Sequence, residues 1–145
     1  ASDTVASFRG TGFNNIVQGY DAIFAYQSGG SDTATLNGSA GNDQLAVTSF
    51  YTLLITPSTT QKVNGFRTVT VNAGAGNDSV SFFDSAGDDT FNSGGNSAQL
   101  IYDGGRSVQA IGFDSVTADG TAGGVNRRNV IGTLAYVLRF TGVWV

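Results

Sequence analysis

The sequence has no cysteine, histidine or glutamate, and each absence removes a class of chemistry. Without cysteine the chain can form no disulfide, thiolate nucleophile or cysteine metal site. Without histidine and glutamate, general acid–base catalysis would depend on aspartate alone, and no serine has a candidate base beside it. We therefore expect that the protein is not an enzyme.

Positive charge is also scarce, since Lys62 and six arginines face 11 aspartates and the net charge is -4. No basic stripe with interleaved aromatics is present, so nucleic acid is not an expected partner. The longest apolar run, near the C-terminus, is interrupted by Arg139 and Thr141 and is too short for a membrane span. The first residues, Ala-Ser-Asp, contain no signal peptide, so we expect a processed protein or an excised segment.

The residues that are abundant favour turns and short strands. The 145 residues include 21 glycines and are 40% hydrophobic, which is enough for one domain with a core. All acidic residues are aspartate, which competes for backbone hydrogen bonds in helices and is common in turns. No segment has a sustained helical apolar pattern, so the composition predicts an all-β protein.

An internal repeat is visible in three pairs of glycine and an aromatic residue, Gly19-Tyr20, Gly65-Phe66 and Gly112-Phe113. Successive pairs lie 46 and 47 positions apart. The same offset aligns residues 38–43 with residues 84–89, and an alternating segment follows each pair. Recurring turn residues as well as apolar residues are typical of stacked corners in a solenoid.

The repeat predicts a single parallel β-helix (β-solenoid) domain over residues 1–145. Its units would span approximately residues 18–63, 64–110 and 111–145, the last being partial. Because one unit has too many strands for one coil, we interpret it as two coils of roughly 23 residues, giving about six coils in which equivalent corners lie over one another. A β-sandwich is the alternative, since it also has short strands at regular spacing.

Two glycine-rich segments, GSAGNDQLA at 38–46 and AGAGNDSVS at 73–81, resemble the nonapeptide of repeats-in-toxin calcium solenoids. The resemblance implies carboxylate ligands for calcium in the corners. However, aspartates at 32, 43, 78 and 89 are separated by 11, 35 and 11 positions, whereas that family needs tandem nonapeptides. Turns capped by their own aspartates are the alternative reading. The candidate calcium ligands are Asp43, Asp78, Asp84, Asp88 and Asp89.

The phrase DSAGDDTF at 84–91, followed by Gly112-Phe113-Asp114 and Gly123-Gly124, resembles repeats of large bacterial cell-surface proteins. The resemblance covers about residues 6–124 and implies an extracellular protein, secreted or on the cell surface, of adhesive or structural type. It supplies no catalytic residue. After Gly124 the sequence departs from the pattern, so the last unit is atypical.

Residues 130–145 are apolar at both parities, so neither side of this segment is expected to face water. It is either a terminal strand that covers the last coil or a strand that enters a neighbouring subunit, and we favour the second reading. Residues 1–8 form a plausible receiving edge or first strand. The expected assembly interface comprises Leu134, Tyr136, Val137, Leu138, Phe140, Val143, Trp144 and Val145.

These observations predict an extracellular bacterial structural protein, a subunit or module of a filament, fibre or surface layer that assembles with copies of itself. An adhesive module that binds a surface carbohydrate or protein, or a calcium-stabilised one, is the alternative. A polysaccharide-active enzyme using Asp84, Asp88 and Asp89 is remote, and no cofactor is required. Ice binding is disfavoured because the two Thr-x-Thr pairs, at 33–35 and 68–70, are 35 positions apart, which is not a whole number of 23-residue coils.

Overall fold

The computed structural model describes residues 5–145, and every helix or strand element in that part of the chain is a β-strand. The strands alternate as expected for half-buried segments: in Thr68–Asn72, Val69 and Val71 are buried while the other side chains face outward. Residues 5–145 include no helix that would reach across a membrane. The strands are β1 (Val5–Gly10), β2 (Phe13–Gln18), β3 (Ala22–Tyr26), β4 (Thr33–Asn37), β5 (Gln44–Val47), β6 (Tyr51–Ile55), β7 (Thr60–Asn64), β8 (Thr68–Asn72), β9 (Ser79–Phe83), β10 (Thr90–Gly95), β11 (Ser97–Ile101), β12 (Ser107–Ile111), β13 (Ser115–Gly120), β14 (Arg127–Leu134) and β15 (Val137–Gly142).

The strands form two sheets whose inner sides share one core. Sheet 1 has the order β14-β10-β11-β12-β8-β4-β1-β2, and sheet 2 has the order β15-β13-β9-β5-β6-β7-β3. Burying each large apolar side chain in this core contributes about 1.5 to 3 kcal/mol. The largest fully buried apolar side chains are Phe82, Phe91, Leu36, Leu54 and Leu100.

The fold is a β-solenoid of about three turns, and the prediction of an all-β solenoid is confirmed. Strands one turn apart pair in parallel: Thr33 pairs with Thr68, 35 positions later, and Gln44 pairs with Ser79 at the same offset. The offset is 39 between Thr68 and Ser107. The six coils of 23 residues are not confirmed, because antiparallel excursions within each sheet lengthen a turn.

Strands recur every 46 to 48 residues, but each recurrence lies in the opposite sheet. A unit contains a leading strand (β3, β8 or β13), a crossing strand (β4, β9 or β14) and a three-stranded antiparallel meander (β5–β7 or β10–β12). From the start of one unit to the start of the next, the chain therefore crosses from one sheet to the other three times, which is an odd number. The leading strands consequently alternate, with β3 and β13 in sheet 2 and β8 in sheet 1.

The prediction that Gly19, Gly65 and Gly112 lie in one column was wrong. Their local conformations are nearly identical, with φ of 78°, 79° and 80°, a left-handed value that favours glycine. However, Gly19 and Gly112 lead from sheet 1 to sheet 2, whereas Gly65 leads from sheet 2 to sheet 1. Successive corners of this kind thus lie on opposite sides of the solenoid, because each unit makes an odd number of crossings.

Candidate assembly surfaces and aspartate corners

Two glycine-rich corners, at 38–43 and 84–89, have the same internal hydrogen bonds. The backbone N–H of Ser39 donates to Oδ2 of Asp43 at 2.6 Å, and the Ser39 hydroxyl donates to Oδ1 at 2.8 Å. Ser85 makes the same two bonds to Asp89, at 2.5 and 3.0 Å. Because both carboxylates are buried and bonded to their own turn, each aspartate fixes its corner.

The aspartates also join successive turns of the solenoid. The N–H of Asp43 donates to Oδ1 of Asp78 at 2.7 Å, and the N–H of Asp78 donates to Oδ2 of Asp114 at 2.8 Å. On another corner, the N–H of Asp89 donates to Oδ1 of Asn126 at 3.2 Å. Asp114 and Asn126 were not among the predicted residues, because the visible sequence repeat is 46 residues long, whereas these hydrogen-bond partners lie 35 to 37 positions apart.

The carboxyl group of Asp78 is placed in an unfavourable environment for a charge. Burial raises its pKa above the usual value, the hydrogen bond from the Asp43 amide opposes this, and the neighbouring charges of Asp43 and Asp114 raise the pKa further. The corner thus gains a backbone hydrogen bond at the cost of desolvating a carboxylate.

The candidate calcium ligands do not converge on one point. Asp84 accepts from the N–H of Ala122 at 3.0 Å and from Nδ2 of Asn126 at 2.8 Å, while the exposed Asp88 accepts from the N–H of Val125 at 2.8 Å. Within residues 5–145 no group of three or more acidic side chains is arranged to hold a metal ion. These carboxylates are directed at N–H donors, which is a structural use of them, and calcium binding by these residues stays a prediction.

The C-terminal segment 130–145 does not form one strand. Its residues divide between β14, at one edge of sheet 1, and β15, at the edge of sheet 2 on the same end of the solenoid. Among the expected interface residues, Leu134, Tyr136, Leu138 and Phe140 are half-buried, whereas Val137, Val143 and Val145 are exposed.

Trp144 differs from the other expected interface residues because it is buried within its own chain, with 8% exposure. Its ring lies 6.0 Å from that of Phe91 and 5.8 Å from that of Phe140, and its Nε1 donates to the carbonyl of Thr141. Trp144 therefore covers the end of the core and is not displayed to a partner.

The opposite end of the solenoid also has open strand edges, which the sequence analysis did not identify. β2 ends sheet 1 and β3 ends sheet 2. Residues 1–8 were expected to form a receiving edge or a first strand, and their described part belongs to the first strand, β1, which is not an edge because it pairs with β2 on one side and with β4 on the other. Residues 1–4 lie outside the described part of the chain. The signal for this surface was the segment Ala22–Tyr26, which is apolar at both parities.

Exposed apolar side chains are concentrated at these two ends. Of the fourteen large hydrophobic residues that are exposed, eleven lie within residues 13–26 or 125–145. Near the middle of sheet 1 the outward positions are polar, as at Thr70 and Gln109, whereas in sheet 2 the exposed Ile55 and Phe83 lie away from the ends. Exposed apolar side chains beside open strand edges are typical of interaction surfaces.

The outer face of sheet 1 offers less to a ligand. A shallow cavity of about 450 Å³ there is lined by amide, hydroxyl and glycine groups with Ile131, and no titratable side chain lines it. The Thr-x-Thr pairs do stack, since Thr33 pairs with Thr68, so the spacing argument against ice binding was wrong. On the next strand, β12, Ser107 pairs with Thr68 and Gln109 pairs with Thr70. Each row of stacked threonines therefore ends after two strands.

No protein-family model, no curated protein and no solved structure matches the chain. The function is therefore inferred from the geometry of the chain itself.

Proposed function

We propose that the chain is an extracellular structural protein, a subunit or module of a bacterial surface filament, fibre or surface layer that assembles by stacking the ends of its solenoid. The observation that carries the proposal is the pair of open ends. Within residues 5–145, no strand pairs with the outer side of β2, β3, β14 or β15, and each end carries a cluster of exposed apolar side chains. Solenoids that remain single protect such edges with polar caps.

The direction of the edge strands supports head-to-tail stacking. In sheet 1, β2 is antiparallel to β1, β1 is antiparallel to β4, and the pairings from β4 to β14 leave β14 parallel to β2. In sheet 2, β15 is parallel to β3 by the same reasoning. Head-to-tail stacking of identical copies along the solenoid axis therefore keeps the strands parallel at each junction. Such heterologous contacts form open filaments.

The localisation and the absence of a catalytic step are parts of this proposal. The resemblance of residues 84–91 to repeats of bacterial surface proteins supports an extracellular location. The aspartates form hydrogen bonds within and between corners, which is a structural use of their carboxylates. An adhesive module is the second candidate, and the amide-lined cavity on sheet 1 is its best site for a carbohydrate.

The test measures association by sedimentation velocity over a range of protein concentrations. Val130 points into the core side of the edge strand β14 and is 47% exposed, so Val130→Lys places a charge in the junction without burying it in the free protein. Thr70→Lys, on the outer face in the middle of sheet 1, is the matched control. We expect the wild type and Thr70→Lys to elongate and Val130→Lys to require at least about tenfold more protein, since an unpaired buried charge costs several kcal/mol.

Far-ultraviolet circular dichroism of the three proteins establishes that each is folded. A wild type that remains monomeric at all concentrations would overturn the proposal. Monomers that bind a surface polysaccharide would favour the adhesive module instead.

A further inference from the structure

The free edge of β14 has a defined complement elsewhere in the fold. β14 is a crossing strand, and the other two crossing strands each pair in parallel with a leading strand. Thr33 of β4 lies opposite Thr68 of β8, and Ser79 of β9 lies opposite Ser115 of β13. The corresponding position on β14 is Arg127, and within residues 5–145 no other strand pairs with β14 on the side away from β10.

The missing complement exists at the other end of the molecule. β3 is a leading strand that pairs with β7 on one side, and no strand of residues 5–145 pairs with its other side. In β8 and β13 that second side is occupied by a crossing strand. The pairing of a crossing strand with a leading strand thus occurs twice inside the solenoid. One end has an available crossing strand, β14, and the other end has an available leading strand, β3.

We propose that β3 of a second copy of this chain pairs in parallel with β14, with Ala22 opposite Arg127. This inference rests on the proposed function and specifies its partner and register. Because β3 belongs to sheet 2 and β14 to sheet 1, successive copies are rotated by about half a turn. Sheet 1 of one copy continues as sheet 2 of the next, as happens between successive units within the chain.

The side chains agree with this register. Ala25 points into the core from β3 and falls beside Val130, while Ile23 falls beside Arg128, whose guanidinium already lies 5.0 Å from the centre of the Phe140 ring. On the outer face, Tyr26 falls beside Ile131; these side chains are 71% and 73% exposed in the single chain. The pairing covers apolar surface on both faces, which favours association.

The edge of β14 already holds the first hydrogen bonds of this register. The N–H of Val145 donates to the carbonyl of Asn126 at 2.9 Å, as Ser115 donates to the carbonyl of Asp78 at 3.1 Å. The N–H of Arg128 donates to the carbonyl of Val145 at 2.8 Å. In the proposed register, Ala22 of the second copy takes the place of Val145, and these two backbone hydrogen bonds are exchanged for the equivalent ones of Ala22.

The aspartate columns give a second, independent match. Asp78 immediately precedes a crossing strand, and its N–H donates to Asp114, which immediately precedes a leading strand. Asn126 and Asp21 hold these two positions at β14 and β3. In the proposed register, the carboxylate of Asp21 from the second copy accepts from the N–H of Asn126 and extends the column.

The test uses disulfide cross-linking, for which the absence of native cysteine gives a clean background. Phe24 and Asn129 are outward positions that the register places opposite each other, at about 4.8 Å between neighbouring strands, within the range of a disulfide. Phe24→Cys and Asn129→Cys proteins are mixed and oxidised. The control mixture pairs Asn129→Cys with Ile16→Cys, which lies on β2 and would be the neighbour of β14 in an unrotated stack.

We expect the Phe24→Cys and Asn129→Cys mixture to form a covalent dimer at least tenfold faster than the control mixture. Each protein oxidised alone should remain uncross-linked, because identical positions do not meet in a head-to-tail contact. Faster cross-linking of the control mixture would overturn the rotated register while leaving assembly intact. Absence of association by sedimentation would overturn both the register and the proposed function.

A second measurement concerns Asp21. Asp21→Ala should weaken association several-fold in the sedimentation assay, whereas Asp103→Ala, an exposed aspartate in the β11–β12 hairpin, should not. Equal association of the two variants and the wild type would contradict the extension of the aspartate column.

Discussion

The backbone N–H of Asp43 donates to the carboxylate of Asp78 at 2.7 Å, although 35 residues separate the two positions. This bond shows that one turn of the solenoid is 35 residues long at this corner. The corner at 38–43 therefore lies directly against the corner at 73–78, and tight contacts between their backbones follow from it.

Gly74 tests this stacking of corners. Its φ is +102°, and a Cβ built on it would lie 2.2 Å from the carbonyl oxygen of Ser39 in the adjacent turn. We expect Gly74→Ala to lower the free energy of unfolding by at least about 3 kcal/mol, because left-handed strain and the backbone clash add. Urea denaturation measures the loss.

Gly12→Ala is the matched control for Gly74→Ala. Gly12 also has a left-handed φ, +86°, but a Cβ there meets no atom within 4 Å. It should cost only about 1 to 2 kcal/mol, the strain alone. Equal losses for both variants would show that the corners are not in contact.

Asp78 should make stability depend on pH. Because burial raises its pKa, the folded state holds the proton more tightly than the unfolded chain. Its contribution is therefore complete below the unfolded pKa of about 4 and is lost as the pH rises through the folded pKa. Asp78→Asn keeps an acceptor for the Asp43 amide, as Asn126 does for Asp89.

We therefore expect Asp78→Asn to be at least as stable as the wild type at pH 7 and to lose less stability between pH 4 and pH 7. Urea denaturation across this range measures both quantities. A variant that is weaker than the wild type at pH 7, with an unchanged pH dependence, would contradict the assignment.

Calcium should not stabilise the protein, because the carboxylates of Asp43 and Asp89 already accept hydrogen bonds within their corners. Thermal unfolding followed by circular dichroism should give the same Tm in a chelator and in millimolar calcium. A Tm that rises by several degrees with calcium would restore the calcium-stabilised module as the better reading of these corners.

Arg106 joins the two sheets at their side. Its guanidinium donates to the carbonyl of Thr48 at 2.8 Å and to the hydroxyl of the buried Thr52 at 2.9 Å, and burial lowers its pKa. Arg106→Met should cost about 1 to 3 kcal/mol, because Thr52 loses this partner for its buried hydroxyl. Arg67→Met, at an exposed position, should change the free energy of unfolding by less than about 0.5 kcal/mol. Similar losses for both variants in urea would contradict the role of Arg106.

The sequence was sufficient to predict an all-β solenoid and the likeness of two corners. Residues 38–43 and 84–89 share hydrogen bonds because serine and aspartate recur at the same places in both. The sequence was not sufficient to predict which corners and strands lie over one another in successive turns. The 35-residue separation of Asp43 and Asp78 argued against tandem calcium nonapeptides, and its meaning as the length of one turn was not recognised. The meanders, which stay within one sheet, determine that length, and no local pattern reveals how often a unit crosses.

The apolar ends were predicted only in part. The C-terminal segment was identified because it is apolar at both parities, but Trp144 proved to be packed on Phe91. The N-terminal edge was missed because Ala22–Tyr26 was grouped with the alternating internal strands, although it is apolar at both parities. Which strands are edges depends on pairing across the whole sheet, and a single segment carries no information about that.

Electron microscopy combined with X-ray diffraction from aligned fibres tests the central claim, end-to-end stacking, most directly. Strands run across the stacking direction, so the account predicts fibres one solenoid wide with a reflection at about 4.8 Å along the fibre axis. Isolated particles at every concentration would contradict it, and so would fibres in which that reflection lies perpendicular to the axis.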